Sequence, residues 1–233
     1  MARLEARDLT GGYPGVTVFS EVAFSVESAE ILAILGANGS GKSALLETLQ
    51  GLLKPSRGQL LLDGEVVQNL PAEARAARGM SLVSDRRRLF GEMTVPEHLR
   101  VGAFREAARP GWRLRAAELR ELFSGLPARR ALQPSHLSGG LQQQLALARF
   151  GMSLPRVWLL DDPLAGLDQV MTSRVLGWIQ AAARSGAAVI LTGQHIRAYL
   201  AVATKAMFLE GGSLTAVSVG PDGLLDPRVR RLL

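Results

Sequence analysis

Residues 36–43 of the 233-residue chain read Gly-Ala-Asn-Gly-Ser-Gly-Lys-Ser, the spacing G-x-x-x-x-G-K-[ST] in full. Phosphate chemistry needs these types at these distances. Gly36, Gly39 and Gly41 let the backbone bend with its N–H groups turned inward and let a phosphate come close. A helix starting near Lys42 adds its positive end. The Lys42 ammonium reaches the β- and γ-phosphates, and the Ser43 hydroxyl is placed to coordinate Mg²⁺. Asn38, Ser40 and Ala44 complete the cradle. The pattern predicts a nucleotide site.

Two further segments carry charge or donors suited to the same ligand. Residues 157–162 read Val-Trp-Leu-Leu-Asp-Asp. Four apolar residues and then an acid describe a buried strand that delivers Asp161 beside the phosphate loop, where it would hold Mg²⁺ directly or through water. Asp162 then points to the other face, at the edge of the sheet where ligands bind, and could polarise an attacking water. Residues 137–140 read Leu-Ser-Gly-Gly and are followed by Gln142, Gln143 and Gln144. There a hydroxyl (Ser138) and free glycine N–H groups (Gly139, Gly140) would stand at a helix N-terminus as a second anion cradle.

The elements that must position these groups follow from periodicity. Residues 30–35 read as a buried strand, and SALLETLQGLL after the loop as a helix with Leu45, Leu46, Leu49, Leu52 and Leu53 on one face. Residues 1–35 otherwise carry short β-like runs broken at GGYPG, and 58–68 a hairpin around Asp63-Gly64. From Pro71 to Phe150 the pattern turns helical. A strand is expected at 157–161, a helix at 168–184, a strand at 187–192, two short strands after that, and a last helix in DPRVRRLL. Strands alternating with helices argue for a mostly parallel α/β sheet, and the helical stretch at 96–150 for an insertion between two of its strands.

Composition narrows the classes. With no cysteine, disulfides, thiolate metal sites and cysteine nucleophiles are excluded. No apolar run approaches the ~18–20 residues that cross a bilayer, and MARLEARDLT lacks a signal peptide's apolar stretch. A net charge of +6 favours polyanions, but the basic residues form no tail and few aromatics accompany them, so nucleic acid is not expected as a partner.

With LSGG between the phosphate loop and the carboxylate strand, the chain resembles an ABC nucleotide-binding domain from end to end. The resemblance implies an ABC-type P-loop NTPase fold, with a mostly parallel core sheet, an N-terminal antiparallel β subdomain and an inserted helical subdomain. It implies one domain over 1–233, with a core at about 1–85 and 151–233 and a helical part at about 86–150. It also implies ATP and Mg²⁺ as ligands, Tyr13 as the aromatic stacked on adenine and His195 as the switch histidine at the γ-phosphate. Asp168 becomes the acid that reaches across a dimer. The implied partners are a second ABC ATPase, identical or different, and transmembrane permease subunits, so the chain would lie in the cytoplasm on the inner face of the membrane.

The stretch LVSDRRRLFGEMTVPEHLRVGAF at 82–104 is similar to that of branched-chain amino acid importer ATPases, in which an acid replaces the usual Q-loop glutamine. Here that acid is Asp85, a further Mg²⁺ ligand by the resemblance. Lipopolysaccharide-export ATPases share much of the same pattern. Arg86, Arg87, Arg88 and the apolar run from Leu89-Phe90 to Val95 either contact the membrane partner or form a solvated, partly buried loop. The residue after the Mg²⁺ aspartate is Asp162 where the family usually has glutamate, and Leu141 stands where Glu or Gln is common. The shortened acids leave two alternatives open: a hydrolysing motor, or a slow regulatory subunit paired with a more active ATPase. A soluble ABC protein acting on nucleic acid or a ribosome ranks last.

Overall fold

The computed structural model of the protein describes residues 3–126 and 132–233. The elements run β1 (Leu4–Tyr13), β2 (Val16–Val26), β3 (Ile31–Leu35), α1 (Lys42–Gln50), β4 (Arg57–Leu62), β5 (Glu65–Val66), α2 (Ala72–Ala77), β6 (Met80–Val83), α3 (Val95–Gly102), α4 (Trp112–Leu122) and α5 (Gly139–Met152). Then come β7 (Val157–Asp161), α6 (Gln169–Arg184), β8 (Ala188–Thr192), α7 (Ile196–Val202), β9 (Lys205–Glu210), β10 (Ser213–Val217), and the single turns α8 (Gly220–Gly223) and α9 (Pro227–Arg230).

Alternation along β3 divides the interior. Ile31, Ala33 and Leu35 face a core shared with α3 to α7, while Leu32 and Ile34 face a second core built with α1 and the β1, β2 and β4 strands. Both faces of β3 are buried, as expected of a strand inside a parallel sheet. The larger sheet has the order β10-β9-β3-β8-β7-β6; β9, β3, β8, β7 and β6 run parallel, and β10 adds an antiparallel edge. The smaller sheet, β2-β1-β4-β5, is antiparallel. Leu45, Leu46 and Leu49 place α1 between the two.

The expected helix after the phosphate loop is shorter than its leucine pattern. It stops at Gln50 because Gly51, at φ 88°, takes the left-handed C-cap and sends its N–H back to the Glu47 and Thr48 carbonyls. Leu52 is thereby left exposed rather than on the helix face. The region from Pro71 to Phe150 is not helical throughout. Met80–Val83 forms the β6 edge strand, which its four residues are too few to announce against Ala- and Arg-rich flanks. Residues 127–131, inside that stretch, lie outside the described residues. The last expected helix is only the single turn α9, capped by Asp226.

Two charged groups hold the layers. At the Asp63-Gly64 turn, Asp63 accepts from Arg3 at 3.0 Å with one oxygen and from Arg156 at 2.9 Å with the other. Arg3 precedes β1 and Arg156 precedes β7, so one carboxylate joins the two sheets at the end remote from the phosphate loop. On α2, the buried Arg75 donates to the Thr48 and Leu49 carbonyls at 2.7 Å each, to Gln68 at 2.8 Å and to Leu70 at 3.0 Å. It meets the last carbonyls of α1, sharing that of Thr48 with the Gly51 N–H, and the helix's negative end. Burial lowers its pKa to about 10, which leaves it charged at neutral pH.

Replacing Arg75 by Met keeps apolar volume and removes the donor to the Leu49, Gln68 and Leu70 carbonyls. Each buried acceptor left unmade costs ~1–3 kcal/mol before the helix end relaxes. The expected loss is about 3 kcal/mol, read as a lower urea midpoint with an unchanged slope.

Candidate functional site

The phosphate loop spans the β3–α1 junction. Gly41 is the N-cap of α1 at φ 105°, and a Cβ there would lie 2.5 Å from a Val18 methyl. A Cβ on Gly36 would stand 2.5 Å from the Leu209 carbonyl. Both positions therefore admit only glycine. The Lys42 ammonium is buried and donates to the Gly36 and Ala37 carbonyls at 2.8 Å each, closing the loop around its own nitrogen. Burial pushes the Lys42 pKa down, while Asp161 and Asp162 pull it up. Beside it, the Ser40 hydroxyl is buried without a hydrogen-bond partner among the described residues.

Around this loop lies a cavity of about 350 Å³ whose wall includes Tyr13, Asn38, Gly39, Gly41, Lys42, Ser43, Ala44, Asp85, Asp161 and Asp162. Tyr13 is 47% exposed at its rim. Asp161 ends β7 and is buried; its Oδ1 accepts the Thr192 hydroxyl at 2.6 Å. Burial raises the Asp161 pKa, and hydrogen bonds from Thr192 and Ser43 oppose that rise. Asp162 turns through φ 48°, a left-handed conformation that Asp tolerates better than most residues. Its Oδ1 faces the Gln194 N–H and the Tyr199 hydroxyl at 3.4 Å each, and the His195 Nδ1 at 3.5 Å. His195 is the residue before α7.

A hydroxyl beside a buried carboxylate, a second acid on the rim and an orphaned buried hydroxyl fit a magnesium–triphosphate group. Mg²⁺ takes few protein ligands when phosphates and waters supply the rest. No cluster of three or more His, Asp or Glu that could hold a metal occurs among the described residues.

Ser138, Gly139 and Gly140 do not line that cavity. Ser138 caps α5, its hydroxyl accepting from Leu141 N–H, and a Cβ on Gly140 would lie 2.6 Å from the Gly166 carbonyl. The Ser138–Gly140 turn thus packs against the loop after Asp162 and stands outside the cavity around the phosphate loop. Asp168 is the N-cap of α6 and accepts from Met171 N–H at 2.8 Å.

The segment after β6 is a partly buried loop, and two of its arginines are tied to neighbouring elements. Arg87 donates to Gln143 and Gln142, at 3.1 Å each, and Arg149 donates to the Arg88 and Arg87 carbonyls at 2.7 and 3.1 Å. Arg88 pairs with Glu47 on α1. Both residues sit at positive φ, 56° and 44°. Arg87 and Arg88 are therefore internal ties from the Asp85 segment to α5 and α1; only Arg86 projects with no side-chain partner among the described residues. Gln143 also donates to the Pro163 carbonyl at 3.1 Å, joining this segment to the residues after Asp162. Sequence reasoning missed Thr192, Tyr199, Gln143 and Arg149 as site residues. Thr192 and Tyr199 reach acids that carry a motif, whereas Gln143 and Arg149 bond Arg87 and backbone carbonyls, which carry none.

The ABC transporter family profile matches residues 19–165. The chain belongs to this family. It is an ABC ATP-binding subunit, an ATPase coupled to transport. It is 33% identical over 218 residues to the branched-chain amino acid transport ATP-binding protein BraG of Pseudomonas aeruginosa, covering 94% of this chain and 93% of that one. It is 32% identical over 234 residues to the lipopolysaccharide export ATP-binding protein LptB of Haemophilus influenzae, covering 100% and 97%. Among solved structures, an ATP-binding subunit of an ABC transporter superposes with a TM-score of 0.84 at 27% identity over 98% of this chain and 97% of the other. The dimeric cassette MJ0796 does so at 0.80 and 24% identity, covering 91% and 96%. No helix among the described residues is long and apolar enough to cross a membrane.

The Asp85 segment gives a pH prediction. His98 on α3 is buried, with Nδ1 2.9 Å from the Thr94 carbonyl and Nε2 accepting Phe90 N–H at 3.0 Å. That pattern suits only the neutral ring. Burial lowers its pKa, Thr94 opposes this, and Arg149 adds to it. The folded pKa then lies below the unfolded ~6.5, so the unfolded chain binds more protons between the two values. His98 therefore contributes stability fully above about pH 6.5 and loses it as pH falls further. The urea midpoint should drop from pH 7.5 to 5.5, and drop less in His98→Gln.

Proposed function

We propose that the chain binds MgATP and hydrolyses it as one half of a head-to-tail dimer that drives a membrane permease. The carrying observation is that the phosphate cavity gathers Lys42, Ser43, Asp161 and Asp162 while Ser138–Gly140 stand outside it. A γ-phosphate met by both needs a second chain, identical or different. In this reading Tyr13 stacks on adenine. Lys42 and the N–H groups of the loop hold the β- and γ-phosphates, and His195 contacts the γ-phosphate. Ser43, Asp161 and Asp85 hold Mg²⁺, which when bound neutralises charge on the phosphate oxygens. Asp162 orients the attacking water. Ser138, Gly139, Gly140 and Asp168 serve the partner's nucleotide. The single domain divides into a nucleotide core at about 1–85 and 151–233 and a helical part at about 86–150.

A cytoplasmic helix of the permease is assigned to the groove of about 540 Å³ between α2, α3, α5 and the Asp85 segment. Leu52, Phe90 and Phe104 are 43%, 47% and 54% exposed there. Apolar groups of that size gathered in one groove suit a partner more than solvent. The occupant lies on the segment that carries Asp85, so docking is felt at the phosphate cavity. The chain then lies on the cytoplasmic face of the membrane.

The BraG relative and the acid at position 85 support import of branched-chain amino acids. The LptB relatives, matched over the whole chain, support lipopolysaccharide export as a second reading. A deletion strain that loses leucine, isoleucine and valine uptake bears out the first. One that keeps uptake and retains lipopolysaccharide in the inner membrane bears out the second.

Steady-state hydrolysis with Mg²⁺ tests the enzyme itself. The wild type is expected to turn over, and Lys42→Ala to fall by ~10²-fold or more, the scale for removing a donor to a transition-state oxyanion. A wild type that binds ATP but hydrolyses it only after Asp162→Glu would overturn the motor reading and make this chain the slow half of a pair.

A further inference from the structure

We propose that Tyr199 is a positioning residue for Asp162: its hydroxyl holds the carboxylate's Oδ1 and so leaves Oδ2 as the oxygen offered to the phosphate cavity. The inference rests on the reading of Asp162 as the acid that orients water.

The contacts on Asp162 are one-sided. The Tyr199 hydroxyl, the Gln194 N–H and the His195 ring nitrogen all approach Oδ1, at 3.4, 3.4 and 3.5 Å. Oδ2 has no partner among the described residues. Two hydrogen bonds on one oxygen, with the His195 nitrogen close by but not hydrogen-bonded, bias the rotation of a short side chain, and a short side chain is where rotation matters most. An aspartate has one methylene fewer than glutamate, so it reaches a water only in a narrow range of χ angles.

Tyr199 is built to serve as such a donor. It is fully buried on α7, and its ring packs in the main core beside Ile196 and Leu200. Burial, and then the nearby Asp162 charge, push its ionisation well above the ordinary phenol range. The hydroxyl therefore remains protonated at any working pH. Gly193 leaves the two groups room to meet. A Cβ at that position would lie 2.4 Å from Asp162 Oδ1 and 2.9 Å from the Tyr199 hydroxyl. Packing alone would be met by phenylalanine; the hydroxyl aimed at a carboxylate in the phosphate cavity is what packing does not require.

The test is Tyr199→Phe, Asp162→Asn and the double variant, with turnover and ATP affinity measured separately. Tyr199→Phe should lower kcat about ten-fold, short of the ~10²-fold that a 1 Å misplacement can cost, with ATP Kd within about two-fold of wild type. In the Asp162→Asn background the same change should cost nothing further, because the group it positions is gone. A Tyr199→Phe enzyme with wild-type kcat, or an equal loss in both backgrounds, overturns the proposal. If Asp162→Asn keeps full activity, the reading of Asp162 as the water-orienting acid falls, and the positioning role with it.

A second measurement does not depend on turnover. The chain has only two tyrosines, Tyr13 and Tyr199. Fluorotyrosine labelling gives two ¹⁹F resonances, assigned with Tyr13→Phe. Asp162→Asn should move the Tyr199 resonance and leave that of Tyr13 in place. If neither moves, the hydroxyl does not bond the carboxylate and the proposal fails, even if Tyr199→Phe proves too unstable to assay.

Discussion

A loop that binds phosphate through its backbone must keep several N–H groups without acceptors of its own, and must do so between two packed layers. That demand governs the molecule. β3 arrives with both faces buried and α1 leaves with its leucines between two sheets, so neither flank can shift to satisfy the exposed amides. Glycine at positive φ carries the chain through the bend, and Lys42 folds back onto the loop's carbonyls so that the N–H side is left for a ligand. Arg75 then secures the far end of the same helix with no carboxylate partner among the described residues. A buried cation balanced only by carbonyl dipoles is costly, and its position at the negative end of α1 offsets part of that cost.

The chemistry-bearing residues were the most legible part of the sequence, because each sits where backbone and chemistry make the same demand. Gly41 is needed for its dihedral angle as well as for ligand access. Ser138 caps a helix as well as offering a hydroxyl. Val157–Asp161 is both a core strand and the carrier of an acid, and the structure begins and ends it at the expected residues. The wrong expectations came where tertiary context decides. Leucine spacing extended α1 through Gly51, although one glycine in the left-handed region ends a helix whatever follows. β6 was hidden because four residues at a sheet edge carry no usable period.

What the sequence could not announce are the residues that hold the functional ones. Thr192 and Tyr199 reach the two acids from 31 and 37 residues away, and no local pattern marks them. In the sequence Arg87 and Arg88 read as a partner contact or as part of a solvated, partly buried loop, with nothing to say what they bond. Their partners lie far off in the chain: Gln142 and Gln143 of α5 receive Arg87, Arg149 of α5 donates to the carbonyls of both, and the Arg88 side chain turns back to Glu47. The segment bearing Asp85 is consequently wired to the helix that starts at Ser138 and, through Arg88, to the helix that starts at Lys42.

The bridge through Asp63 has a mechanical consequence. It joins the antiparallel sheet to the parallel one at the edge from which β3 and β7 set out, whereas Tyr13 and Lys42 sit at the opposite edge. The two layers are thus pinned like the spring end of a clothes peg, with the jaws at the nucleotide. Such half-exposed ion pairs are worth at most ~1 kcal/mol and weaken as salt screens them. Salt around this turn therefore loosens the tie between the two layers at one end, while the shared core around α1 holds them along the rest of their length.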